Sequence, residues 1–231
     1  MTVVTHQASP LTDRLFDIYH RLLDHFGPLH WWPAESPFEV IVGAVLTQNT
    51  AWTNVEKAIA NLRASELLTL QALLDLPEAE LAERIRSSGF YMVKAKRLRA
   101  LLQWLGEDWE DRLAGGDLEE LRTVLLAIDG VGAETADSIL LYAANRPTFV
   151  VDAYTRRILD RIGIEPSALT YEGYRRLFLD NLPRDASLFN EFHAQLVYLG
   201  KHYCRKQPRC AACPAQEVCA WPRQETSSKK A

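Results

Sequence analysis

Residues 125–137 read LLAIDGVGAETAD and join two predicted helices through a Gly-Val-Gly turn that is too short to be an independent loop. Gly130 and Gly132 can adopt positive φ and let the backbone approach another surface closely, while Val131 can hold the turn against the core. The helix that begins there presents unpaired N–H groups and a positive dipole end to an anion such as a phosphate. Most Gly-x-Gly turns are simply tight turns, so the meaning of this one depends on the rest of the chain.

Apolar residues recur at spacings of three and four along most of the chain, which is the pattern of amphipathic helices. The first predicted helix carries Leu15, Ile18 and Leu22 on one face and ends at Gly27-Pro28. Evidence for strands is limited to the short run 148–151, so the sequence predicts an all-α protein. The other predicted helices cover Phe38 to Leu46, Asn54 to Leu62, Pro77 to Ser87, Val93 to Leu105, Leu118 to Leu126, Glu134 to Ala144, Tyr154 to Ile162, Tyr171 to Asn181 and Leu188 to Tyr203.

The composition is that of an ordinary folded protein: of 231 residues, 48% are apolar and 24% are charged. The sequence has no long uninterrupted apolar run and no export signal, so we expect a cytoplasmic protein without membrane association. The formal charge of −4 argues against a polyanionic partner. However, residues 201–231 contain seven basic residues against two acidic ones, which indicates an oriented electrostatic surface. The polar tail from Arg223 to Ala231 is expected to fray.

All four cysteines lie within sixteen residues, in the pattern C-x5-C-x2-C-x5-C. A reducing compartment disfavours disulfides, and clustered cysteines there more often bind metal. Structural zinc sites usually join two short C-x2-4-C pairs, whereas the longer arms found here also suit an iron–sulfur cluster, so the spacing leaves both open. The candidate ligands are Cys204, Cys210, Cys213 and Cys219.

Three cations occupy the loop between the first two cysteines, at Arg205, Lys206 and Arg209. They are either solvated charges that offset the thiolates or a phosphate-binding clamp held in place by the metal.

Asp152 follows the largely apolar run 148–151 and precedes the helix predicted from Tyr154. Its carboxylate could cap that helix. It could instead be an anion in a partly desolvated cleft, where it would stabilise positive charge or assist a water nucleophile.

Together, the Gly-Val-Gly hairpin, Asp152 about twenty residues later and the four terminal cysteines resemble the helix-hairpin-helix DNA glycosylases of the endonuclease III family. The resemblance runs from about Trp31 to Trp221. It implies a two-lobe fold with a DNA cleft between the lobes: a six-helix barrel of residues 36–146, and a cluster lobe of residues 1–35 plus 147–231. It favours a [4Fe–4S] cluster over zinc. The implied partner is damaged double-stranded DNA, bound by a nucleoid-associated monomer.

Two departures from the family pattern affect what the resemblance implies. The first cysteine spacing is five residues instead of six, which shortens the cluster loop but still lets it span the distance. The second is Glu134, which stands where endonuclease III has the lysine that forms a Schiff base with the sugar. A carboxylate cannot form an imine, so the lyase step is expected to be lost or weak. Asp152 matches the catalytic aspartate, and Glu134 is either a contact to water or sugar or only a first-turn residue favoured by the helix dipole.

The segment containing Trp31 and Trp32 resembles the lesion pocket of bacterial 3-methyladenine DNA glycosylases of the endonuclease III type. Stacked indoles would attract a cationic alkylated base more strongly than a neutral one. The resemblance also assigns Gln48 as the residue that fills the gap left by a flipped base. It assigns Phe90 as the wedge inserted into the base stack.

The leading hypothesis is a base excision repair N-glycosylase that flips a damaged base and hydrolyses its glycosidic bond, without lyase activity and with a preference for alkylated purines. Two alternatives are an oxidised-pyrimidine glycosylase with residual lyase activity and a lesion-binding protein without catalysis.

Overall fold

The computed structural model describes residues 9–221, and this part of the chain contains twelve α-helices and no β-strand. The all-α prediction is therefore confirmed. The helices are α1 (Pro10–Phe26), α2 (Pro37–Leu46), α3 (Trp52–Ala64), α4 (Leu70–Asp75), α5 (Glu78–Arg84), α6 (Tyr91–Leu105), α7 (Trp109–Ala114), α8 (Leu118–Leu126), α9 (Ala133–Ser138), α10 (Ala153–Ile162), α11 (Tyr171–Asn181) and α12 (Ala186–His202). Short 3₁₀ segments lie at Arg86–Ser88, Cys210–Ala212 and Gln216–Val218.

The described residues divide into two compact units. Residues 9–31 and 148–221 form one, called the terminal unit below, and Trp32–Pro147 form the other, the central unit. The description of the central unit as a six-helix barrel and of the terminal unit as an iron–sulfur lobe stays a prediction.

Helix ends follow local sequence signals. Ser36 caps α2 by accepting a hydrogen bond from the Glu39 N–H, and proline occupies the first turn of the helix. Asp185 caps α12 in the same manner. Gly163 ends α10 at φ 80°, in the left-handed region that glycine enters without strain.

Each unit has its own apolar core. In the central unit α2 is buried along nearly its whole length and packs with apolar residues of α3, α5, α6 and α9, which fixes the positions of the segments at both ends of α2. In the terminal unit Phe149 stacks on Phe178 with ring centroids 3.5 Å apart, and Phe189 and Phe192 pack edge-on against this pair. Such aromatic packing fixes the connection that leads to Asp152.

The structure corrects the sequence prediction in two places. The sequence pattern does not predict α4 and α7, because six residues give less than two turns of periodicity. The helix predicted from Glu134 to Ala144 is α-helical only in α9 and continues as a π-helix over Ile139–Ala143. Residues 148–151 are buried but form no strand. The tail expected to fray, from Arg223 onward, lies outside the described residues.

Among the helices of residues 9–221, none combines the length and apolarity needed to cross a bilayer.

Candidate DNA-binding and catalytic site

The hairpin, residues 127–132, joins α8 to α9 and needs glycine at one of its two glycine positions. Gly130 has φ 82°, and a Cβ atom built on it would lie 2.2 Å from the Cγ of Arg97. Gly132 has φ −86° and open space where a Cβ would be. Val131 is buried, as predicted for the residue that anchors the turn. The positive φ and the close approach of Arg97 therefore require glycine at Gly130, whereas neither applies at Gly132.

A buried ion pair links the two helices of the hairpin. Arg122 of α8 donates from Nε and Nη2 to the two carboxylate oxygens of Asp137 in α9, at 2.9 and 3.0 Å. The Asp137 side chain is fully buried and that of Arg122 is 10% exposed. A two-point Arg–carboxylate pair fixes orientation as well as distance, so it sets the angle at which the turn is presented.

Gln48 lies just beyond α2 and is bonded to the hairpin. Its Nε2 donates to the carbonyl oxygen of Gly130 at 2.9 Å and to Oγ1 of Thr135 at 3.0 Å. Its Oε1 accepts a 2.8 Å bond from Nη1 of Arg97. The proposed gap-filling residue and the hairpin thus belong to one hydrogen-bonded group within the central unit.

Phe90, the predicted wedge, is 71% exposed and sits at φ 47° just before α6. A non-glycine residue in the left-handed region is strained, and a large exposed apolar side chain gains nothing from solvent. Met92 and Val93 beside it are also exposed. Phe90, Met92 and Val93 therefore form an exposed apolar surface that another molecule can contact.

Asp152 lies in the terminal unit at the N-terminus of α10. Its Oδ1 accepts hydrogen bonds from both the N–H and Oγ1 of Thr155, at 2.7 and 2.9 Å. Its Oδ2 lies 3.9 Å from Nε2 of His193, and the Asp152 side chain is 16% exposed. The capping role weighed from the sequence is therefore present, but it occupies one oxygen of a carboxylate that still reaches solvent.

His193 of α12 is a neighbour of Asp152 that the sequence gave no reason to select. Burial lowers the pKa of His193, and the charge of Asp152 opposes that effect. The imidazole therefore favours its neutral form beside the carboxylate.

Glu134 is exposed in the first turn of α9. A carboxylate there is favoured by the helix dipole. Its position is compatible with both roles considered from the sequence.

The adjacent tryptophans belong to different units. Trp31, in the terminal unit, packs edge-on against Tyr198, and Nζ of Lys201 lies 5.2 Å from its ring centroid. Trp32, in the central unit, contacts Gly43 and packs against Trp52 and Tyr142 with ring centroids 5.2 and 5.1 Å away.

Trp32 and Trp52 line a cavity of about 350 Å³ in the central unit. Glu39, 6% exposed, forms a 2.6 Å ion pair with Arg63 at this cavity, and Glu56 accepts a 2.9 Å bond from Nε1 of Trp52. With three carboxylates, one guanidinium and two indoles, the lining suits a flat cation of nucleobase size. The lining residues are Trp32, Pro33, Ala34, Glu35, Glu39, Gly43, Trp52, Glu56, Ile59, Ala60 and Arg63.

The cysteine loop, residues 204–219, is held mainly by Arg161 of α10. Arg161 donates to the carbonyls of Arg205 and Lys206 and to the sulfur of Cys204, and its carbonyl accepts a 3.3 Å bond from Sγ of Cys219. The side chains of Arg205, Lys206 and Arg209 are exposed.

The four thiols fit an iron–sulfur cluster in chemistry more than in arrangement. Burial raises the pKa of Cys213 to about 11, and the charges of Cys204, Cys219 and Cys210 contribute to the increase. Within residues 9–221, however, no group of three or more His, Cys, Asp or Glu side chains is arranged to hold a metal ion. Four cysteines are the usual ligand set of a [4Fe–4S] cluster, but their side chains are not arranged as its ligands in this structure.

Comparison with known proteins gives the class of the chain. The profile described as "HhH-GPD superfamily base excision DNA repair protein" matches residues 42–184. The chain therefore belongs to the HhH-GPD superfamily and is a DNA glycosylase of base excision repair. The resemblance recognised from the hairpin, Asp152 and the cysteines is confirmed at this level.

Among sequence relatives, the Methanocaldococcus jannaschii protein named "Putative DNA repair glycosylase MJ1434" is 46% identical over 211 residues, which are 90% of this chain and 96% of that protein. Endonuclease III of Bacillus subtilis is 29% identical over 188 residues, covering 80% of this chain and 81% of that enzyme.

Two solved structures have a similar fold. The 3-methyladenine DNA glycosylase MagIII of H. pylori, bound to 1,N6-ethenoadenine, gives a TM-score of 0.69 at 30% identity, over 83% of this chain and 97% of that one. An endonuclease III in a non-covalent DNA complex gives 0.77 at 22% identity, over 94% and 98%, and this likeness concerns the fold alone.

Proposed function

We propose that this glycosylase binds damaged double-stranded DNA as a monomer, flips out an alkylated purine and hydrolyses its N-glycosidic bond without cutting the strand. The observation that carries the proposal is the carboxylate of Asp152. One of its oxygens is fixed by Thr155 while the side chain keeps contact with solvent.

A carboxylate held in this way suits the chemistry of glycosidic bond hydrolysis. As the bond between C1′ and the base nitrogen breaks, the base leaves with the electron pair and positive charge develops on the sugar. An anion with a fixed orientation stabilises that charge, and it can also accept a proton from the water that attacks C1′. No amine nucleophile is needed for this reaction, which agrees with glutamate at position 134.

Asp152→Asn tests this role cleanly, because asparagine caps helices as well as aspartate does and α10 should keep its N-terminus. We expect base release to fall by a factor on the order of 10² to 10⁴, with affinity for an abasic-site duplex retained. Unchanged turnover would remove Asp152 from the mechanism. Borohydride should trap no covalent adduct on abasic DNA, and a trapped adduct would show that another amine provides lyase activity.

The cavity lined by Trp32 and Trp52 supports a preference for cationic alkylated bases. Its indoles and carboxylates favour a flat cation, and MagIII, named as a 3-methyladenine glycosylase, is 30% identical to this chain. Cation–π attraction of about 0.5 to 2 kcal/mol corresponds to roughly 2- to 30-fold discrimination. The sequence resemblance also assigns Trp31 to the recognition of the alkylated base.

Trp52→Ala should therefore reduce the rate ratio between a cationic alkylpurine and a neutral damaged base by roughly 2- to 30-fold. The matched control is Trp109→Ala, because Trp109 packs against Phe38 in the same unit and does not line the cavity. Equal losses for both lesions in Trp52→Ala would point to core damage instead of base recognition. An oxidised pyrimidine released faster than any alkylpurine would favour the endonuclease III-like alternative.

The proposal also assigns a [4Fe–4S] cluster to Cys204, Cys210, Cys213 and Cys219, on their number, their proximity and the family resemblance. The cluster would organise the basic loop that carries Arg205, Lys206 and Arg209 for phosphate contact. Purified protein should contain about four irons per chain and show visible charge-transfer absorption. Stoichiometric zinc in a colourless preparation would contradict this assignment.

A further inference from the structure

Lys94 is an unusual residue in the first turns of α6. Its side chain is 1% exposed, although a lysine is almost never fully buried. Burial, together with the positive charge of the nearby Arg97, lowers the pKa of Lys94 to about 8. Below that pH the group is an ammonium shielded from solvent, and such a charge persists in a core only when hydrogen bonds replace its water.

The replacement bonds come from two separate segments of the central unit. Nζ of Lys94 donates to the carbonyl oxygen of Leu46 at 2.8 Å and to that of Ser88 at 2.6 Å. Leu46 is the last residue of α2, and Ser88 ends the 3₁₀ turn that leads into α6. Both carbonyls lie at helix ends, where unpaired C=O groups and the negative end of the dipole attract a cation.

The two carbonyls that Nζ of Lys94 binds each lie close in sequence to a residue that we propose enters the base stack. Leu46 lies two residues before Gln48, and Ser88 lies two residues before Phe90. The backbone N–H of Lys94 donates to the carbonyl of Phe90 at 2.9 Å, which is the first i→i−4 bond of α6 and does not depend on the lysine side chain.

One turn further along α6, the side chain of Arg97 also contacts the Gln48 segment and reaches the hairpin. It bonds Oε1 of Gln48 and lies against Gly130 of the hairpin. Lys94 and Arg97 thus join three segments that are far apart in sequence.

We propose that Lys94 is a positioning residue that ties the Gln48 segment to the Phe90 segment, so that the gap-filling residue and the wedge engage DNA as one unit. The inference rests on the proposed function, since it takes both side chains to enter the base stack. It predicts that the contributions of Gln48 and Phe90 to DNA binding are energetically coupled, and that the coupling depends on the Lys94 ammonium.

A double-mutant cycle tests this directly. The affinity for a duplex with a tetrahydrofuran abasic-site analogue is measured for the native protein, Gln48→Ala, Phe90→Ala and the double variant, and again with Lys94→Met added. In the native background the double variant should depart from the product of the single losses by at least about 3-fold. With Lys94→Met the departure should fall below about 2-fold. A cycle that is multiplicative in the native background, or one unchanged by Lys94→Met, would overturn the proposal.

Lys96→Met is the matched control, because Lys96 is an exposed cation of the same helix. It should weaken binding uniformly through lost charge and leave the coupling intact; loss of coupling here as well would argue against a specific role for Lys94. If Lys94→Met does not fold, Lys94→Gln takes its place, since its amide can still donate to one carbonyl and it should show intermediate coupling. Base release from an alkylated duplex is assayed in parallel. If the coupling depends on Lys94 but no base is released, the proposed function is overturned and the inference stands. If base is released but Lys94→Met leaves the coupling unchanged, the inference is overturned and the proposed function stands.

Discussion

The hairpin and the cysteine loop are both irregular segments, but the protein holds them in different ways. Around the hairpin, Gln48 and side chains from α6, α8 and α9 make direct bonds, including a buried ion pair. The cysteine loop has only two short 3₁₀ turns and exposes its cations, and the guanidinium groups of Arg157 and Arg161 donate hydrogen bonds to its backbone carbonyls. The hairpin is therefore held by hydrogen bonds and a buried ion pair within the central unit, whereas the cysteine loop carries the four thiols to which we assign the proposed cluster. Three predictions test this difference.

The largest effect is expected from Asp137→Ala, which removes the carboxylate that accepts hydrogen bonds from Nε and Nη2 of the buried Arg122. Removing one member of a buried ion pair typically costs about 3 to 5 kcal/mol in the free energy of unfolding. Denaturant unfolding would measure it. Glu83→Ala is the matched control, because Glu83 pairs with Arg86 in the same two-point geometry on the surface, where solvent screens the interaction. Equal losses in the two variants would mean that the hairpin is not braced by its buried pair.

A smaller effect is expected from the two hairpin glycines, compared in parallel. Gly130→Ala forces a side chain into a positive-φ site and against Arg97, at a cost of about 1 to 3 kcal/mol, and it should also displace Gln48. Gly132→Ala meets no neighbouring atom and should be close to neutral in stability. Thermal unfolding and abasic-duplex affinity would both be measured. Equal sensitivity at the two positions would contradict the argument from φ and close approach.

The smallest change in global stability is expected from Arg161→Met in the cysteine loop. Opening this loop is local, so the free energy of unfolding should change by less than about 1 kcal/mol while amide hydrogen exchange in residues 204–209 accelerates. Reconstitution with iron and sulfide should restore protection if the thiols hold a cluster. Protection that stays unchanged in the metal-free variant would show that the loop is independent of Arg161.

Most of the architecture could be predicted from the sequence because its signals are local. Apolar periodicity marked the long helices, and Gly130, Asp152 and the cysteines stood in an order that identified the family. The six-residue helices α4 and α7 gave too little periodicity to be recognised, and the π-helical turn after α9 has no simple sequence signature.

The long helices, the class of enzyme and the candidate chemical groups could therefore be predicted from the sequence, since each depends on short local patterns of residues. What those groups contact depends on the tertiary structure. Arg97 meets Gln48 across 49 positions and Lys94 meets Leu46 across 48, and His193 lies beside Asp152 although it belongs to another helix. Such contacts arise from the packing of whole helices, and the same residue types on a differently packed helix would be ordinary surface charges.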